Sequence, residues 1–338
     1  MHVLGVELAP LHVPLERRLQ TLAVLFHVST FLFMGLSSTF LLFMLLFTPL
    51  GWLSLLYAVW YVYDWDRSSR GGRRSQWVRQ LTLWRWLRDY FPVRLVKTAE
   101  LDPRYKYILG AHPHGIMGIG FLCSFVTESL DFSKVFPGIQ LHLLSLKLLH
   151  QLPLYREYVM SLGVCDVSKE SIDYLMKQGP GTAIAIVVGG AKEVFDAQPG
   201  NTNLVLKNRK GFVKMAIQHG AHLVPTFAFG ENDIYRLVFN SQPGSWARRI
   251  QRLFQVKSGY APVLFTGRGV FNYTFGILPH RRPITVVVGS PIPTVQNDHP
   301  SQEEIDITHR RYLDELRMLF DTHKHLYGHV EDKLEFIE

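Results

Sequence analysis

The chain has 338 residues and a formal net charge of +8, with 36 Lys+Arg against 28 Asp+Glu. Hydrophobic residues make up 47% and charged residues 19%, so it is more apolar than a typical soluble domain. Its two cysteines, Cys123 and Cys165, exclude a disulfide framework and a thiolate zinc site, which favours a reducing compartment. The basic excess favours anionic partners, but no clustered basic-aromatic motif predicts nucleic-acid binding.

An uncharged stretch of 43 residues, from Thr21 to Tyr63, is the first long element in chain order. A membrane helix needs about 20 apolar residues, so the stretch can form two legs, at 21–47 and 50–63. It is too long for the apolar core of a cleaved signal peptide, and 43 uncharged residues also exceed what buried core helices usually contain. Basic residues flank both ends, which predicts a membrane hairpin with both chain termini in the cytosol.

The remainder of the chain is predicted to face the cytosol. Residues 1–20 form a short N-terminal segment, and residues 64–338 form one α/β domain with no linker or internal repeat. Apolar residues at helical spacing over 76–91 predict an amphipathic helix. That helix lies either on the membrane surface, with Arg79 and its other basic residues towards lipid phosphates, or packed on the domain.

Strands and helices are predicted to alternate through this domain. Short apolar runs that end in glycine predict strands, and the stretches between them have helical spacing. Such alternation is typical of an α/β fold with a sheet and flanking helices. The predicted strands are 107–109, 183–188, 222–229 and 284–288, and the predicted helices are 169–177, 211–219 and 303–323.

Chemically distinctive residues follow three of the predicted strands. Ligand sites in open α/β sheets lie just beyond the carboxyl ends of the strands, so we expect these residues to converge on one edge. A helix that begins with basic residues is a natural phosphate site and is expected at the same edge. The residues concerned are His112, His114 and Gly115 in the sequence HPHG, then Gly189, Gly190 and Glu193, then Glu231, and the helix start Asn208, Arg209, Lys210 and Gly211.

Three interpretations of the histidine pair compete. The pair supplies two metal ligands at most, whereas a catalytic zinc usually has three from the protein, and no HExxH motif is present. A serine hydrolase is disfavoured because the chain has no GxSxG motif. A histidine that acts as general base on a substrate hydroxyl remains, and two polar residues in an ordinary turn are the alternative.

Several motifs in one order resemble the type-2 diacylglycerol acyltransferase family, which includes monoacylglycerol, diacylglycerol and wax-alcohol acyltransferases. They are YFPVRLVKT (90–98), HPHG (112–115), VGGAKE (188–193), RKGFVKMAIQHGAHLVP (209–225), FGEND (229–233) and GRGVF (267–271), and they extend over nearly the whole chain. The N-terminal VELAPL and ERRLQTLAVL are most similar to the monoacylglycerol branch. Thr266 stands where that family often has histidine, so we assign it no role. The His-x4-Asp motif of the more distant glycerolipid acyltransferases is unmatched, since Met117 and Ile119 occupy the positions of its Asp.

The resemblance implies a glycerolipid-acyltransferase-like sheet with flanking helices, anchored by the N-terminal hairpin. It implies an endoplasmic-reticulum enzyme, also found on lipid droplets, that moves an acyl group from acyl-CoA to monoacylglycerol in triacylglycerol synthesis. Acyl-CoA is then a substrate, and neither a separate cofactor nor a metal is expected. An oligomer with itself or with other lipid-synthesis enzymes is compatible with this. The alternatives are a diacylglycerol or long-chain alcohol acceptor, and a hairpin-anchored lipid-droplet scaffold without activity.

Acyl transfer to an alcohol needs a base for the hydroxyl, a donor for the thioester oxyanion and cations for the CoA phosphates. We expect His114 to be the base and His112 to orient it, although the two roles are interchangeable. Glu193 or Glu231 is expected to replace the missing Asp, with helix capping as the alternative for each. The candidates for the CoA phosphates are Asn208, Arg209, Lys210 and Gly211, and those for the oxyanion turn are Gly115, Gly189 and Gly190.

Overall fold

The computed structural model describes residues 2–3, 5–10, 12–238 and 245–338. A π-helical turn at Thr30–Met34 joins the first two helices into one continuous helix. The helices are α1 Leu15–Ser29, α2 Gly35–Leu45, α3 Gly51–Tyr63, α4 Gln76–Arg79, α5 Thr82–Tyr90, α6 Ile119–Phe121, α7 Phe132–Val135, α8 Tyr155–Ser161, α9 Lys169–Met176, α10 Ala191–Val194, α11 Gly211–His219, α12 Trp246–Ser258 and α13 Gln302–Tyr327. The strands are β1 His2–Val3, β2 Val6–Glu7, β3 Arg94–Lys97, β4 Lys106–His112, β5 Gln140–Ser145, β6 Cys165–Asp166, β7 Thr182–Val187, β8 Asn203–Val205, β9 Ala221–Phe229, β10 Arg236–Leu237, β11 Phe265–Thr266, β12 Thr285–Val288 and β13 Glu335–Ile337.

A seven-stranded sheet in the order β3-β12-β9-β4-β7-β5-β6 forms the centre of the domain. The strands from β9 to β6 are parallel, whereas β12 runs antiparallel to β9 and parallel to β3. Helices cover both faces, so central residues such as Ile108 and Leu109 are fully buried. Burial on both faces explains why the central strands are almost continuous apolar runs. The predicted α/β class is confirmed, and each of the four predicted strands overlaps an observed strand.

The segment 76–91 forms two helices, α4 and α5, rather than the single predicted helix. Leu81 has an extended backbone, with φ −54° and ψ 138°, and this breaks the helical hydrogen bonding between them. The apolar face of α5, including Trp84 and Leu87, packs in the core. Arg79 is 1% exposed and forms an ion pair with Glu128 at 3.0 Å. It therefore points into the protein, where lipid phosphates do not reach.

The continuous helix Leu15–Leu45 has 31 residues and is long and apolar enough to cross a membrane. Its first half packs on the domain through buried residues that include Val24 and Val28. A turn follows, and α3 returns alongside α2. The predicted legs at 21–47 and 50–63 therefore overlap two helices, the first of which begins earlier than predicted. Helices α2 and α3 and the turn between them expose large apolar side chains, among them Leu36, Phe40, Leu41, Phe47, Val59 and Val62.

Candidate active site

Three neighbouring parallel strands end at the same edge of the sheet. β4 pairs with β7 on one side and with β9 on the other, both in parallel register. The HPHG turn therefore lies between the turn at Gly189 and Gly190 and the turn that contains Glu231. The start of α11 at Gly211 is near the same edge, since Val205, six residues earlier, donates its amide to Glu193 at 2.8 Å. The predicted convergence of these four segments is confirmed.

Two buried glutamates hold the segment after β4 through its backbone. Glu193 accepts hydrogen bonds from the amide of His114 at 2.9 Å and from that of Val205 at 2.8 Å. Glu231 accepts from the amides of Ile119 and Gly120 at 2.9 and 2.8 Å. Neither carboxylate bonds to an imidazole ring. Among the described residues both carboxylates thus bond to the main chain and not to the ring that the missing Asp would orient, and no local sequence signal marks such a contact.

Glycines allow the two carboxylates to approach the turns closely. A Cβ on Gly189 would lie 1.9 Å from the carboxyl carbon of Glu193, and one on Gly115 would lie 2.6 Å from Cγ of Glu231. Gly115 and Gly190 also have positive φ, +60° and +61°, which side chains disfavour. The Gly190 amide donates to the carbonyl of Val187 at 3.1 Å. The Gly115 amide has no hydrogen-bond acceptor among the described residues, so it is the better candidate of the two for an oxyanion donor.

Burial governs the protonation of both glutamates. Burial raises the pKa of Glu193 to about 7 and that of Glu231 to about 7. The backbone amides that donate to each carboxylate lower its pKa, as does Arg209 for Glu193, but burial has the larger effect. A carboxyl whose pKa is raised on folding stabilises the folded chain most in acid, and this contribution declines as the pH rises through about 7. Near neutrality each group therefore exists in both protonation states.

His112 is sealed inside the domain. It is fully buried, and its Nε2 lies 3.0 Å from the hydroxyl of Tyr312 on α13. That hydroxyl donates its single hydrogen to the carbonyl of Gly110 at 3.2 Å, so it accepts from His112, whose proton must be on Nε2. Its Nδ1 is buried without a partner among the described residues. Burial lowers the pKa of His112 to about 3, which keeps the ring neutral.

His114 faces a cavity instead. Its Nδ1 lies 3.0 Å from the carbonyl of Gly115, which can only accept, so the proton is on Nδ1. The Nε2 lone pair has no hydrogen-bond partner in the described ranges. Burial lowers the pKa of His114 below the ordinary histidine value of 6.5 against two opposing backbone contacts, so the neutral form predominates near neutral pH. The two histidines, whose roles were interchangeable on the sequence alone, therefore have different surroundings in the structure.

The cavity beside His114 has a volume of about 290 Å³ and an almost wholly apolar lining. His27 and Phe31 of the long N-terminal helix line one side. The other lining residues come mainly from the segment after HPHG, from β5, α8 and the end of β7, and from the segments 190–194 and 259–265. Such a lining suits a hydrocarbon chain, and His114 brings a polar group with an accessible lone pair into it.

The basic start of α11 is only partly available for a ligand. Lys210 forms an ion pair with Asp306 at 2.8 Å, with both side chains about one-third exposed. Arg209 has no acidic partner within 4 Å among the described residues and is partly exposed. Asn208 is exposed, and a Cβ on Gly211 would meet no atom within 4 Å. Arg209 is therefore the freest cation of the cluster. Within the described residues, no group of three or more His, Cys, Asp or Glu side chains is placed to hold a metal ion.

A histidine with a free lone pair at the wall of an apolar cavity is suited to act as a base on a substrate with a hydrocarbon portion. The family model described as diacylglycerol acyltransferase matches residues 43–337. Diacylglycerol O-acyltransferase 2 of Mus musculus is 47% identical over 94% of this chain and 82% of its own length. For 2-acylglycerol O-acyltransferase 3 of Homo sapiens the values are 49%, 93% and 92%. The chain therefore belongs to the diacylglycerol acyltransferase family, and it is an acyltransferase.

One solved structure is similar over most of the chain. The crystal structure of the 1-acyl-sn-glycerophosphate acyltransferase PlsC from Thermotoga maritima covers 91% of this chain and 98% of its own, with 11% sequence identity. The TM-score is 0.39, which is too low to support any argument about this site.

Replacing Tyr312 with Phe removes the hydroxyl that accepts a hydrogen bond from Nε2 of His112. Both ring nitrogens of His112 then lack partners, at a cost of about 1–3 kcal/mol, and we expect the HPHG turn to be held less firmly. The predicted result is a kcat about tenfold lower, with unchanged KM for both substrates, because positioning rather than binding is affected. The matched control is Tyr174→Phe on α9, whose side chain is 43% exposed. Equal kcat values for the two variants in initial-rate measurements would contradict this role.

Proposed function

We propose that this protein transfers a fatty acyl group from acyl-CoA to monoacylglycerol and so forms diacylglycerol in triacylglycerol synthesis. The observation that carries the proposal is the position of His114, whose unpaired Nε2 belongs to the wall of the apolar cavity. A base in that position can meet a hydroxyl whose hydrocarbon portion occupies the cavity. A separate cofactor is not part of the proposal, since CoA enters as part of the donor substrate.

In this reaction, Nε2 of His114 accepts the proton of the acceptor hydroxyl while its oxygen attacks the thioester carbonyl. The carbonyl oxygen then carries negative charge, which the free amide of Gly115 is suited to receive. Collapse of the tetrahedral intermediate breaks the carbon–sulfur bond, and the CoA sulfur takes the proton from the imidazolium. His112, Glu193 and Glu231 hold the turn that carries these groups, and they do not exchange protons with substrate.

The phosphates of acyl-CoA are assigned to the start of α11. The amides at a helix N-terminus, with Asn208, Arg209, Lys210 and Gly211 around them, form a favourable environment for phosphate oxygens. Arg209 carries most of this role, because Lys210 already pairs with Asp306 at 2.8 Å. The cluster lies near the HPHG turn, because Val205, shortly before it, donates its amide to Glu193, which also accepts from His114.

We assign the protein to the endoplasmic reticulum membrane and to lipid droplets. The helix Leu15–Leu45 and α3 form the anchor, either as a hairpin or as two crossings, with both chain termini in the cytosol. Arginines on both sides of the apolar stretch support this topology. The site then faces the compartment that contains acyl-CoA. Assembly with further copies or with other enzymes of lipid synthesis is compatible with this arrangement.

Diacylglycerol is the second candidate acceptor, because the relatives with that name are nearly as similar to the chain as those named 2-acylglycerol O-acyltransferase. Long-chain alcohols are a third. Purified protein in detergent should be given labelled acyl-CoA with each acceptor in turn. We expect the highest kcat/KM with monoacylglycerol. A higher kcat/KM with diacylglycerol or with an alcohol would identify that compound as the preferred acceptor. Transfer to none of the three would contradict the proposed function.

Replacing His114 with Ala removes the base. We expect kcat to fall by about 10²–10⁴-fold while the KM for acyl-CoA is unchanged. Replacing His112 with Ala should reduce kcat less, because that ring does not meet substrate.

In the unmodified protein the acid limb of the kcat profile should lie below pH 6.5, since burial lowers the pKa of His114 and activity is lost when the ring is protonated. Near-normal turnover of His114→Ala, or loss of activity to a chelator with recovery on zinc, would contradict this mechanism.

Replacing Arg209 with Ala tests the phosphate assignment. The KM for acyl-CoA should rise, with kcat and the acceptor KM little changed, because Arg209 binds a part of the donor that does not react. Lys207→Ala is the matched control, since Lys207 is an exposed cation two residues earlier in the chain. An effect confined to the acceptor KM would assign the arginine to another task.

A further inference from the structure

Helix α12, Trp246–Ser258, attaches to the domain by its polar side. Arg248 is 4% exposed, donates a hydrogen bond to the carbonyl of Phe195 at 3.2 Å and forms an ion pair with Asp196. The side-chain amide of Gln251 donates to the carbonyl of Pro262 at 3.0 Å. A surface helix of a soluble domain normally turns its apolar side inwards, so this orientation is the reverse of the usual one.

The outward side of α12 is apolar and basic. The exposed fractions of its large apolar residues are 76% for Trp246, 56% for Ile250, 63% for Leu253, 52% for Phe254 and 78% for Val256. Scattered exposed apolar residues are common, but five on one helix form a continuous patch. The exposed cations Arg249, Arg252 and Lys257 accompany them, and the helix contains no acidic residue. Aromatic and aliphatic residues with cations are typical of helices that lie in a lipid interface.

The carboxyl end of α12 is connected by contacts to the N-terminal helix pair. Gly259 ends α12 and approaches Leu146 closely, since a Cβ there would lie 2.5 Å from the leucine Cδ1. The 3₁₀ turn Lys147–Gln151 begins directly after that leucine. The carbonyl of Gln151 accepts a hydrogen bond from Tyr61 of α3 at 2.8 Å. This short series of contacts places α12 on the side of the domain from which the apolar helices project.

The segment that directly follows α12 also lines the cavity. Gly259, Tyr260 and Ala261 line it together with Phe31 of the N-terminal helix and with His114. The apolar cavity is therefore bounded by the long N-terminal helix on one flank and by the segment after α12 on the other. A lipid that entered between these two elements would meet His114.

We propose that α12 is a second membrane contact, which rests in the headgroup layer of an anionic leaflet beside the cavity and admits the lipid acceptor. This rests on the proposed function, because it requires the lipid-facing site and the N-terminal anchor. Charge distinguishes a leaflet from a second copy of the chain. A two-fold contact of α12 with itself would bring three cations against three with no acid on either helix, whereas anionic headgroups complement them.

The first test is the surroundings of α12 in the full chain. Leu253→Cys places one thiol on the outward side, and Met318→Cys places the control thiol on α13, where the native side chain is 55% exposed. The native Cys123 and Cys165 are fully buried, so an environment-sensitive fluorophore labels the introduced thiol. After reconstitution in phosphatidylcholine vesicles with added phosphatidylserine, the label at 253 should emit further to the blue and resist quenching by iodide. The label at 318 should remain quenchable.

Equal quenching of the two labels in vesicles would overturn the proposal. Protection of the 253 label in detergent, increasing with protein concentration, would assign the surface to a second copy and would overturn it as well. Either result concerns α12 alone. Failure of the unmodified protein to acylate any lipid alcohol would instead remove the proposed function and would leave the fluorescence result standing.

The second test separates access of the acceptor from chemistry. The double variant Leu253→Glu, Phe254→Glu should raise the apparent KM for monoacylglycerol presented in these vesicles roughly tenfold, since two apolar contacts with lipid are lost. Its KM for acyl-CoA, and its activity on monoacylglycerol in detergent micelles, should not change. The control double variant is Ile307→Glu, Met318→Glu, whose native side chains on α13 are 52% and 55% exposed. An equal loss in vesicles and micelles, or an equal effect of the control, would contradict the role of α12.

Discussion

Two buried carboxylates, those of Glu193 and Glu231, hold the turn after β4 by accepting hydrogen bonds from its backbone amides at 2.8–2.9 Å. They lie just after β7 and β9, the two strands that flank β4, so the turn is held from both sides. Loss of either contact would leave a buried amide without an acceptor, which costs free energy, so both contacts stabilise the turn. The glycines beside them are the necessary counterpart, because a Cβ on Gly115 or Gly189 would occupy the space of a carboxyl group.

This arrangement separates the two histidines of the motif. The strand carries His112 into the core, where the Tyr312 hydroxyl accepts its hydrogen bond, and the turn brings His114 to the cavity wall. Burial lowers the pKa of His114, so the ring is mostly neutral at neutral pH. The apolar surroundings of His114 thus favour both a hydrocarbon chain and a neutral imidazole.

Sequence reasoning recovered the features that leave a periodic or local signal. The buried strands β4, β7 and β9 are apolar runs followed by glycine or by HPHG. Because ligand sites in open α/β sheets lie beyond the carboxyl ends of the strands, their three turns were expected at one edge. β5 was missed because Gln140 and His142 interrupt its apolar character. Tyr312 was missed because its partner lies 200 residues away. The glutamates were found, but their action on backbone amides was not, since amides are the same at every residue.

Helix α12 was not among the predicted helices, and the direction of its apolar side was a separate difficulty. Periodicity shows that a helix has an apolar side but cannot show which side packs on the protein, and here the polar side does. With the exposed apolar side chains of α2 and α3, the outward side of α12 gives the domain two exposed apolar surfaces. In the reaction that we propose, the donor binds at the basic start of α11, the lipid acceptor arrives from these apolar surfaces, and the two meet at His114.

The position of the acceptor hydroxyl distinguishes a base at His114 from other roles of that ring. It can be measured in an experimental structure of the protein with monoacylglycerol and a thioether analogue of acyl-CoA, which cannot transfer its chain. We expect a hydroxyl oxygen about 2.6–3.2 Å from Nε2 of His114, with the glyceride chain in the cavity and no substrate atom against His112. A hydroxyl bound to another side chain, with His114 turned away from both substrates, would contradict it.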